Sequence, residues 1–300
     1  MKPAAFDYER PQTLDDALKL LASSDNAKII AGGQSLMPML NFRLLAPELL
    51  VDISRIDELR GIRETKGRGL SVGALTRHHE METSKLVEER FPVIHEAMQY
   101  VAHLAIRNRG TIGGSLSHAD PAAELPMMAV LLDAHLHVAG PNGLRQVAAR
   151  DFFLGALTTD LEENEILVQV EFPGLPKRSA YAFDEFAQRS GDFALCSVAV
   201  ILSWSGNFLT GGKKIGDVRI ALMGVDETPV RIEVAEQLLS GAKHIDDPLL
   251  EQVASVIRDT IQPNGDLHAS ADYRRHLAYT MSQQTLKTAW QRLQGQTDED

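Results

Sequence analysis

One cysteine in 300 residues, Cys196 in the apolar stretch A-L-C-S-V-A-V-I-L that begins at Ala194, can neither close an internal disulfide nor supply the four thiolates that an iron–sulfur cluster usually takes. The chain holds no such cluster by itself. Basic residues are in the minority, 30 Lys and Arg against 41 Asp and Glu, for a formal charge of −11. A field of that sign repels phosphate backbones and anionic lipid, and no basic patch overrides it, so nucleic acid and membrane are not expected partners. No run reaches the ~18 apolar residues of a membrane span, and the opening M-K-P-A-A-F-D-Y-E-R has no apolar core of the length that a secretory signal needs. A cytoplasmic chain is expected. What is present, 44% hydrophobic and 24% charged residues, is ordinary globular composition, which excludes disordered, collagen-like and mucin-like chains and allows one large or two to three small domains.

Hydrophobic periodicity predicts an amphipathic helix over Thr13 to Ala22 behind a Thr or Asp cap, and short strands at Lys28 to Ala31 and Leu49 to Ile53. Residues 1–57 therefore read as a small α/β unit. A second unit, 58–173, opens on a hairpin after Leu59 and continues with a helical stretch from about Arg77 to Val101. A Gly-Gly turn at Thr111 to Ser115, a helix after Ala122 and strands at Ala134 to Ala139 and Ile166 to Phe172 complete it. Pro173 to Lys177 has linker composition. Beyond it, 178–290 reads as alternating strands, Ala194 to Trp204 and Asp217 to Val225 around a Gly-rich hairpin, followed by helices from Glu233. The polar tail from Gly295 to Asp300 is expected to fray.

Two segments carry chemistry. In A-G-G-Q-S-L, Ala31 to Leu36, paired glycines permit positive φ and close approach to a ligand, successive N–H groups can form an anion nest, and Ser35 adds a hydroxyl. Alone, such a turn is more often a plain strand-to-loop connection, and it matches neither a dinucleotide G-x-G-x-x-G nor a P-loop. In R-N-R-G-T-I-G-G-S-L-S-H-A-D-P-A-A-E-L-P, Arg107 to Pro126, a second Gly-Gly pair is flanked by Thr111, Ser115 and Ser117, with Asp120 and Glu124 beyond. Two such turns in separate subdomains can bracket one pyrophosphate, with carboxylates accepting from ribityl or ribose hydroxyls, although Asp and Glu are equally at home in the first turn of a helix.

Other constellations are weaker. Ser117, His118 and Asp120 lack the nucleophile elbow of a hydrolase, and triad members normally converge from separate elements. His78 and His79 are adjacent, not three or four apart as a helical metal pair requires, and read as surface or cap residues. His135 and His137 share a strand face without an evident third ligand, and Arg107 and Arg109 read as solvated charges sooner than as anchors of the turn.

The two glycine segments, in this order and ~80 residues apart, resemble the FAD-binding medium subunit of the molybdenum hydroxylases, the xanthine dehydrogenase and carbon monoxide dehydrogenase type. So do K-P-A-A-F-D-Y-E-R-P-Q-T-L-D-D-A-L, V-D-I-S-R-I-D-E-L, S-V-G-A-L-T-R-H-H-E-M-E, N-E-I-L-V-Q-V-E-F-P and F-A-Q-R-S-G-D-F-A, spread over nearly the whole chain. The resemblance implies an α+β chain: a two-subdomain FAD-binding fold of the vanillyl-alcohol-oxidase/PCMH type, plus a C-terminal domain of antiparallel sheet and helices. It implies that Ala31, Gly32, Gly33, Gln34, Ser35, Leu36, Thr111, Gly113, Gly114 and Ser115 bind the pyrophosphate and ribityl portion of FAD. His118 and Asp120 would lie along the flavin, Glu124 would bind a flavin hydroxyl, Leu167 would contact the ring system or adenine, and Phe193 would lie near the isoalloxazine.

The resemblance further implies a division of labour. Substrate oxidation belongs to a molybdopterin large subunit and two two-iron two-sulfur clusters to a small subunit, in a heterotrimer or its dimer. FAD on this chain would hand electrons to an external acceptor. Several family members carry a lysine after the phenylalanine that corresponds to Phe183; this chain has Asp184, so the cation that would stabilise an anionic reduced flavin is absent there. The rival reading is a stand-alone FAD-dependent oxidoreductase of the same wider fold, which needs its own proton donor; none is evident.

Overall fold

The computed structural model describes residues 2–206 and 212–295, so the tip of the expected Gly-rich hairpin and the acidic tail lie outside the described residues. The chain starts with a three-stranded parallel sheet: β1 (Asp7–Glu9), β2 (Ala27–Ile30) and β3 (Leu49–Asp52), in the order β1-β3-β2. Helix α1 (Leu14–Ala22) precedes β2. Thr13 caps it by accepting from the Asp16 N–H at 3.2 Å, and Ala17 and Leu21 are buried against the sheet core. Helix α2 (Leu36–Asn41) follows β2 directly, so A-G-G-Q-S-L occupies the β2–α2 connection.

The second sheet is antiparallel: β4 (Ile62–Glu64), β5 (Leu70–Gly73), β6 (His135–Gly140), β7 (Gly143–Ala148) and β10 (Ile166–Phe172), in the order β4-β5-β10-β6-β7. Between β5 and β6 run six helices, α3 (His78–Thr83), α4 (Lys85–Arg90), α5 (Pro92–Met98), α6 (Leu104–Arg107), α7 (Ile112–His118) and α8 (Glu124–Leu131). The helical stretch expected over Arg77 to Val101 consists of three short helices. Ser84 caps α4 by accepting from Val87 N–H, and Pro92, which has no N–H to donate, opens α5 and so ends α4. Two small elements, α9 (Ala149–Phe152) and the pair β8 (Phe153–Gly155) and β9 (Thr158–Thr159), lead back to β10.

The last sheet is antiparallel in chain order, β11 (Ser179–Ala187), β12 (Ala194–Ser205), β13 (Lys214–Met223) and β14 (Val230–Arg231). Helices α10 (Glu233–Leu239), α11 (Asp247–Thr260) and α12 (Ala271–Gly295) follow. Alternation was expected along β12, but every residue from Ala194 to Ser203 is buried. The reason is that both faces of the sheet are covered. Phe183, Ala199, Ile201, Ala221 and Met223 join the core of the second unit, while Ala182, Cys196, Val198, Val200 and Leu222 pack with α11 and α12. The central strand of this sheet is therefore shared by two cores, which fixes the C-terminal unit against the second one.

Arg274, at the start of α12, ties the C-terminal unit together from within. Its buried guanidinium donates to the carbonyls of Leu195 and Gly224, both at 2.6 Å, and pairs with Asp266 at 2.8 Å. Arg274→Met leaves two interior carbonyls unpaired and should lower the free energy of unfolding by about 3 kcal/mol. Urea denaturation measures this; a loss below about 0.5 kcal/mol would show that the guanidinium is dispensable.

Candidate functional site at the junction of the first two units

The two glycine segments meet. A Cβ on Gly32 would stand 2.3 Å from the Arg109 carbonyl oxygen and 3.0 Å from the Gly110 Cα, so only glycine lets the β2–α2 connection lie against the strand of chain that leads into Thr111. Gly33 has φ +71° and turns the chain into α2. After this turn the backbone N–H groups of Gly33, Gln34 and Ser35 have no hydrogen-bond partner among the described residues. The Ser35 side chain does not cap α2 and is exposed. Three unpaired amides and a free hydroxyl in succession form an acceptor-hungry concavity.

The second segment differs from the turn that the sequence suggests. Gly113 and Gly114 lie inside α7, which Thr111 caps by accepting from Gly114 N–H at 3.1 Å. The amides of Ile112, Gly113 and Ser115 are spent on the carbonyls of Thr76, Ala74 and Thr111, so this segment is no amide nest. It is glycine-rich for packing: a Cβ on Gly113 would meet the Ala74 Cβ at 2.5 Å. What it offers a ligand is the exposed Gly114 backbone and the hydroxyls of Ser115 and Ser117.

Residues that the sequence reading set aside hold this junction. The Arg77 guanidinium donates to the Arg109 carbonyl, Arg77 forms an isolated β-bridge with Thr111, and His78 N–H donates to the Gly110 carbonyl at 3.0 Å. The imidazole of His78 is not at the surface but buried beneath Gly110, where a Cβ would come within 2.8 Å of Nδ1; burial pushes its pKa down to about 4 and keeps it neutral. Arg107 is likewise no solvated charge. It pairs with Glu82 at 2.9 Å and donates to the carbonyls of Val101 and Ala102 at 2.8 and 2.9 Å. Only Arg107, three residues before Gly110, stands near a glycine segment in the sequence; Arg77 and His78 reach it through the fold.

Past α7 the chain turns at Ala119 (φ 51°), Asp120 accepts from Ala122 N–H at 2.9 Å, and Glu124 begins α8. Gly224 N–H donates to the Pro121 carbonyl at 2.9 Å, tying this turn to the C-terminal sheet. Asp120 and Phe193 line one cleft of about 680 Å³ between the two, with Pro121, Leu195, Gly224 and Arg274. Phe193 is 69% exposed. His118, the last residue of α7, is half-buried. Leu167 is buried in the core of the second unit and reaches the site only through its neighbour: Val168 accepts from Ala74 N–H, and Ala74 accepts from Gly113 N–H. Glu124 carries a pKa raised to about 8, first by burial and then by Glu185, a residue that the sequence reading missed. Asp184 has its pKa raised by burial and by Glu96, and no cation pairs with it among the described residues. Burial pushes the Cys196 thiol up to about 12, so it is inert. Among the described residues no cluster of three or more His, Cys, Asp or Glu is placed to hold a metal.

A domain model described as the FAD binding domain in molybdopterin dehydrogenase matches residues 4–175, and one described as the CO dehydrogenase flavoprotein C-terminal domain matches residues 181–289. By class, then, the chain is an FAD-binding flavoprotein, α+β in fold, with a C-terminal flavoprotein domain. Among its relatives is the 6-hydroxypseudooxynicotine dehydrogenase complex subunit alpha of Paenarthrobacter nicotinovorans, 40% identical over 297 residues and 97% of each chain. Among solved structures, carbon monoxide dehydrogenase from Hydrogenophaga pseudoflava superposes with a TM-score of 0.92 at 38% identity, covering 97% of this chain and 99% of that one. Quinoline 2-oxidoreductase from Pseudomonas putida 86 does so with a TM-score of 0.90 at 40% identity and the same coverage. The chain belongs to the FAD-binding subunit family of the molybdopterin dehydrogenases, and as such it is an oxidoreductase component.

Gly32→Ala forces the Arg109 carbonyl away and separates the two segments. The variant should still fold, at a cost of about 1–3 kcal/mol, but should bind FAD about tenfold or more weakly. Fluorescence titration of the apoprotein measures this; undiminished affinity would disconnect the glycine contact from the cofactor.

Proposed function

We propose that this chain passes electrons, through FAD, from two-iron two-sulfur clusters on a small subunit to an external acceptor, in a cytoplasmic heterotrimer, or its dimer, with a molybdopterin large subunit that oxidises the substrate. The observation that carries the reading is the row of unpaired amides at Gly33 to Ser35, at the point where the β2–α2 connection lies against Arg109 and Gly110. Residues 1–57 and 58–173 are the two FAD-binding subdomains in this reading, and 178–290 is the C-terminal domain.

The residues fit the cofactor. Ala31, Gly32, Gly33, Gln34, Ser35 and Leu36 receive the pyrophosphate on amides and the Ser35 hydroxyl. Thr111, Gly113, Gly114 and Ser115 form the second segment, in which Ser115 donates and exposed Gly114 admits close approach while Gly113, buried against Ala74, sets the position of α7. His118, Asp120 and Glu124 follow the ribityl chain towards the flavin, and Leu167 packs behind the site. FAD supplies the exchange between two-electron and one-electron chemistry. The chain's own task is to orient it with one edge towards the cluster-bearing partner and to leave the other accessible to the acceptor. Phe193, exposed at the rim of the cleft, shields that accessible side and must yield to an oxidant.

The chain purified alone and saturated with FAD should show flavin bands near ~370 and ~450 nm and no iron–sulfur absorbance, which should enter only with co-purified partners. A chain that takes up no FAD would refute the reading, and a yellow chain that never meets a partner would favour the stand-alone oxidoreductase. Phe193→Ala should alter the rate of reoxidation of the reduced flavin in stopped flow while leaving FAD affinity unchanged; an unchanged rate would remove Phe193 from the acceptor path.

A further inference from the structure

Two other parts of the chain converge on a single atom, the carbonyl oxygen of Arg109. Gly32 abuts it from the β2–α2 connection, where a Cβ would stand 2.3 Å away. The guanidinium of Arg77, the residue before α3, donates to the same oxygen through Nη1. It therefore stands across from the turn at Gly33, after which the amides of Gly33, Gln34 and Ser35 have no partner among the described residues. A guanidinium presents several N–H donors in a rigid fork, and the bond to Arg109 uses one of them. Among the described residues the rest of the half-buried Arg77 guanidinium has no hydrogen bond or ion pair.

We propose that Arg77 is a phosphate ligand of the cofactor site: its free N–H groups clamp a pyrophosphate against the amides of Gly33, Gln34 and Ser35, and its bond to the Arg109 carbonyl holds the fork in place. The inference rests on the reading that FAD occupies this junction. Amides supply donors without net charge, whereas a pyrophosphate brings negative charge to a chain that already carries −11. A half-buried guanidinium answers that charge, and its planar fork matches two phosphate oxygens at once. The surroundings leave Arg77 short of an anion: burial and then Arg60 hold it below the usual guanidinium range, and Arg109 adds to this. The nearby carboxylates have other partners. Glu80 accepts from the Arg77 backbone N–H at 2.6 Å; Asp52 accepts from the Tyr8 hydroxyl and from Ser54 N–H at 2.9 Å, and pairs with Arg10 at 3.3 Å. Arg60 is itself engaged, with the Ser54 carbonyl at 2.7 Å and Asp57 at 3.5 Å.

One side chain thus has two tasks. On the protein side Arg77 keeps the Arg109 carbonyl at Gly32, and on the ligand side it neutralises a phosphate. Ionic strength separates them. A bond to a neutral carbonyl is little affected by salt, while the pull of a guanidinium on a phosphate weakens as the Debye length shrinks from about 30 Å at 0.01 M to about 3 Å at 1 M. The sign is diagnostic as well: a chain of net charge −11 with no local cation at the site would bind an anion more tightly as salt rises, because salt screens their repulsion.

The test is fluorescence titration of the full-length apoprotein with FAD at about 0.02 M and about 0.5 M salt, beside calorimetric titration with inorganic pyrophosphate. Wild type should lose about fivefold in FAD affinity between the two salt levels; a flat or rising profile would overturn the proposal whether or not any variant folds. Arg77→Met, which keeps the length of the side chain and drops its charge, should bind FAD about tenfold more weakly than wild type at low salt, with the gap narrowing to about threefold at high salt. Arg77→Lys, which keeps the charge and loses the fork, should recover most of that loss. A deficit of Arg77→Met that is equal at both salt levels and unrelieved by lysine would make Arg77 a structural support only and overturn the proposal, as would undiminished affinity. Pyrophosphate bound by wild type and not by Arg77→Met, with no uptake of FAD by either, would uphold the phosphate ligand and overturn the FAD reading instead.

Discussion

The Arg109 carbonyl lies where a Cβ of residue 32 would be, and the candidate site follows from that contact. Because residue 32 is glycine, the backbones of the parallel-sheet unit and the antiparallel-sheet unit come into contact there. Gly33 turns at positive φ, which aims three amides away from any internal partner. Opposite them, Arg77 and His78 fix the carbonyls of Arg109 and Gly110 from behind. Exposed amides are tolerable in a loop only if water or a ligand satisfies them, and an anion spanning the junction does so while tying the two units together.

The C-terminal sheet makes a second demand on the same framework. Its central strand is buried on both faces, so one of its faces has to match the helices α5 and α8, which rest on β11 and β13. The centre of that match is apolar, and ion pairs of Asp133 with Arg219 and Arg231 brace it. The Pro121–Gly224 hydrogen bond joins the two units beside the residues assigned to the flavin end of the site.

Much of this was legible from residue types alone. The order of strands and helices, the two glycine segments and the change of pattern after Pro173 follow from periodicity and punctuation, and the family resemblance rests on blocks spread along the chain. Local patterns do not show what a residue is packed against. Gly113 and Gly114 read as a turn because two glycines usually break a helix, but here Thr111 caps α7 and Ala74 leaves no room for a side chain. His78 and Arg107 read as surface groups because nothing near them in sequence announces that α3 and α6 fold over the approach to Thr111. Glu185 stands between Asp184 and Phe186 in a strand, and only the register with Ser197 shows which face of the sheet carries it. In each case the missing information is long-range packing, which a one-dimensional pattern does not contain.

The central claim, that the cofactor's phosphates rest on the amides after β2 and not on those of α7, is open to hydrogen exchange followed residue by residue on the full chain with and without FAD. Unpaired amides exchange fast and hydrogen-bonded ones slowly. The account predicts strong slowing at Gly33, Gln34 and Ser35 when FAD is added, with little change at Ile112 to Ser115, which are already bonded within the protein. Slowing confined to α7, with residues 33 to 35 still exchanging freely, would contradict it.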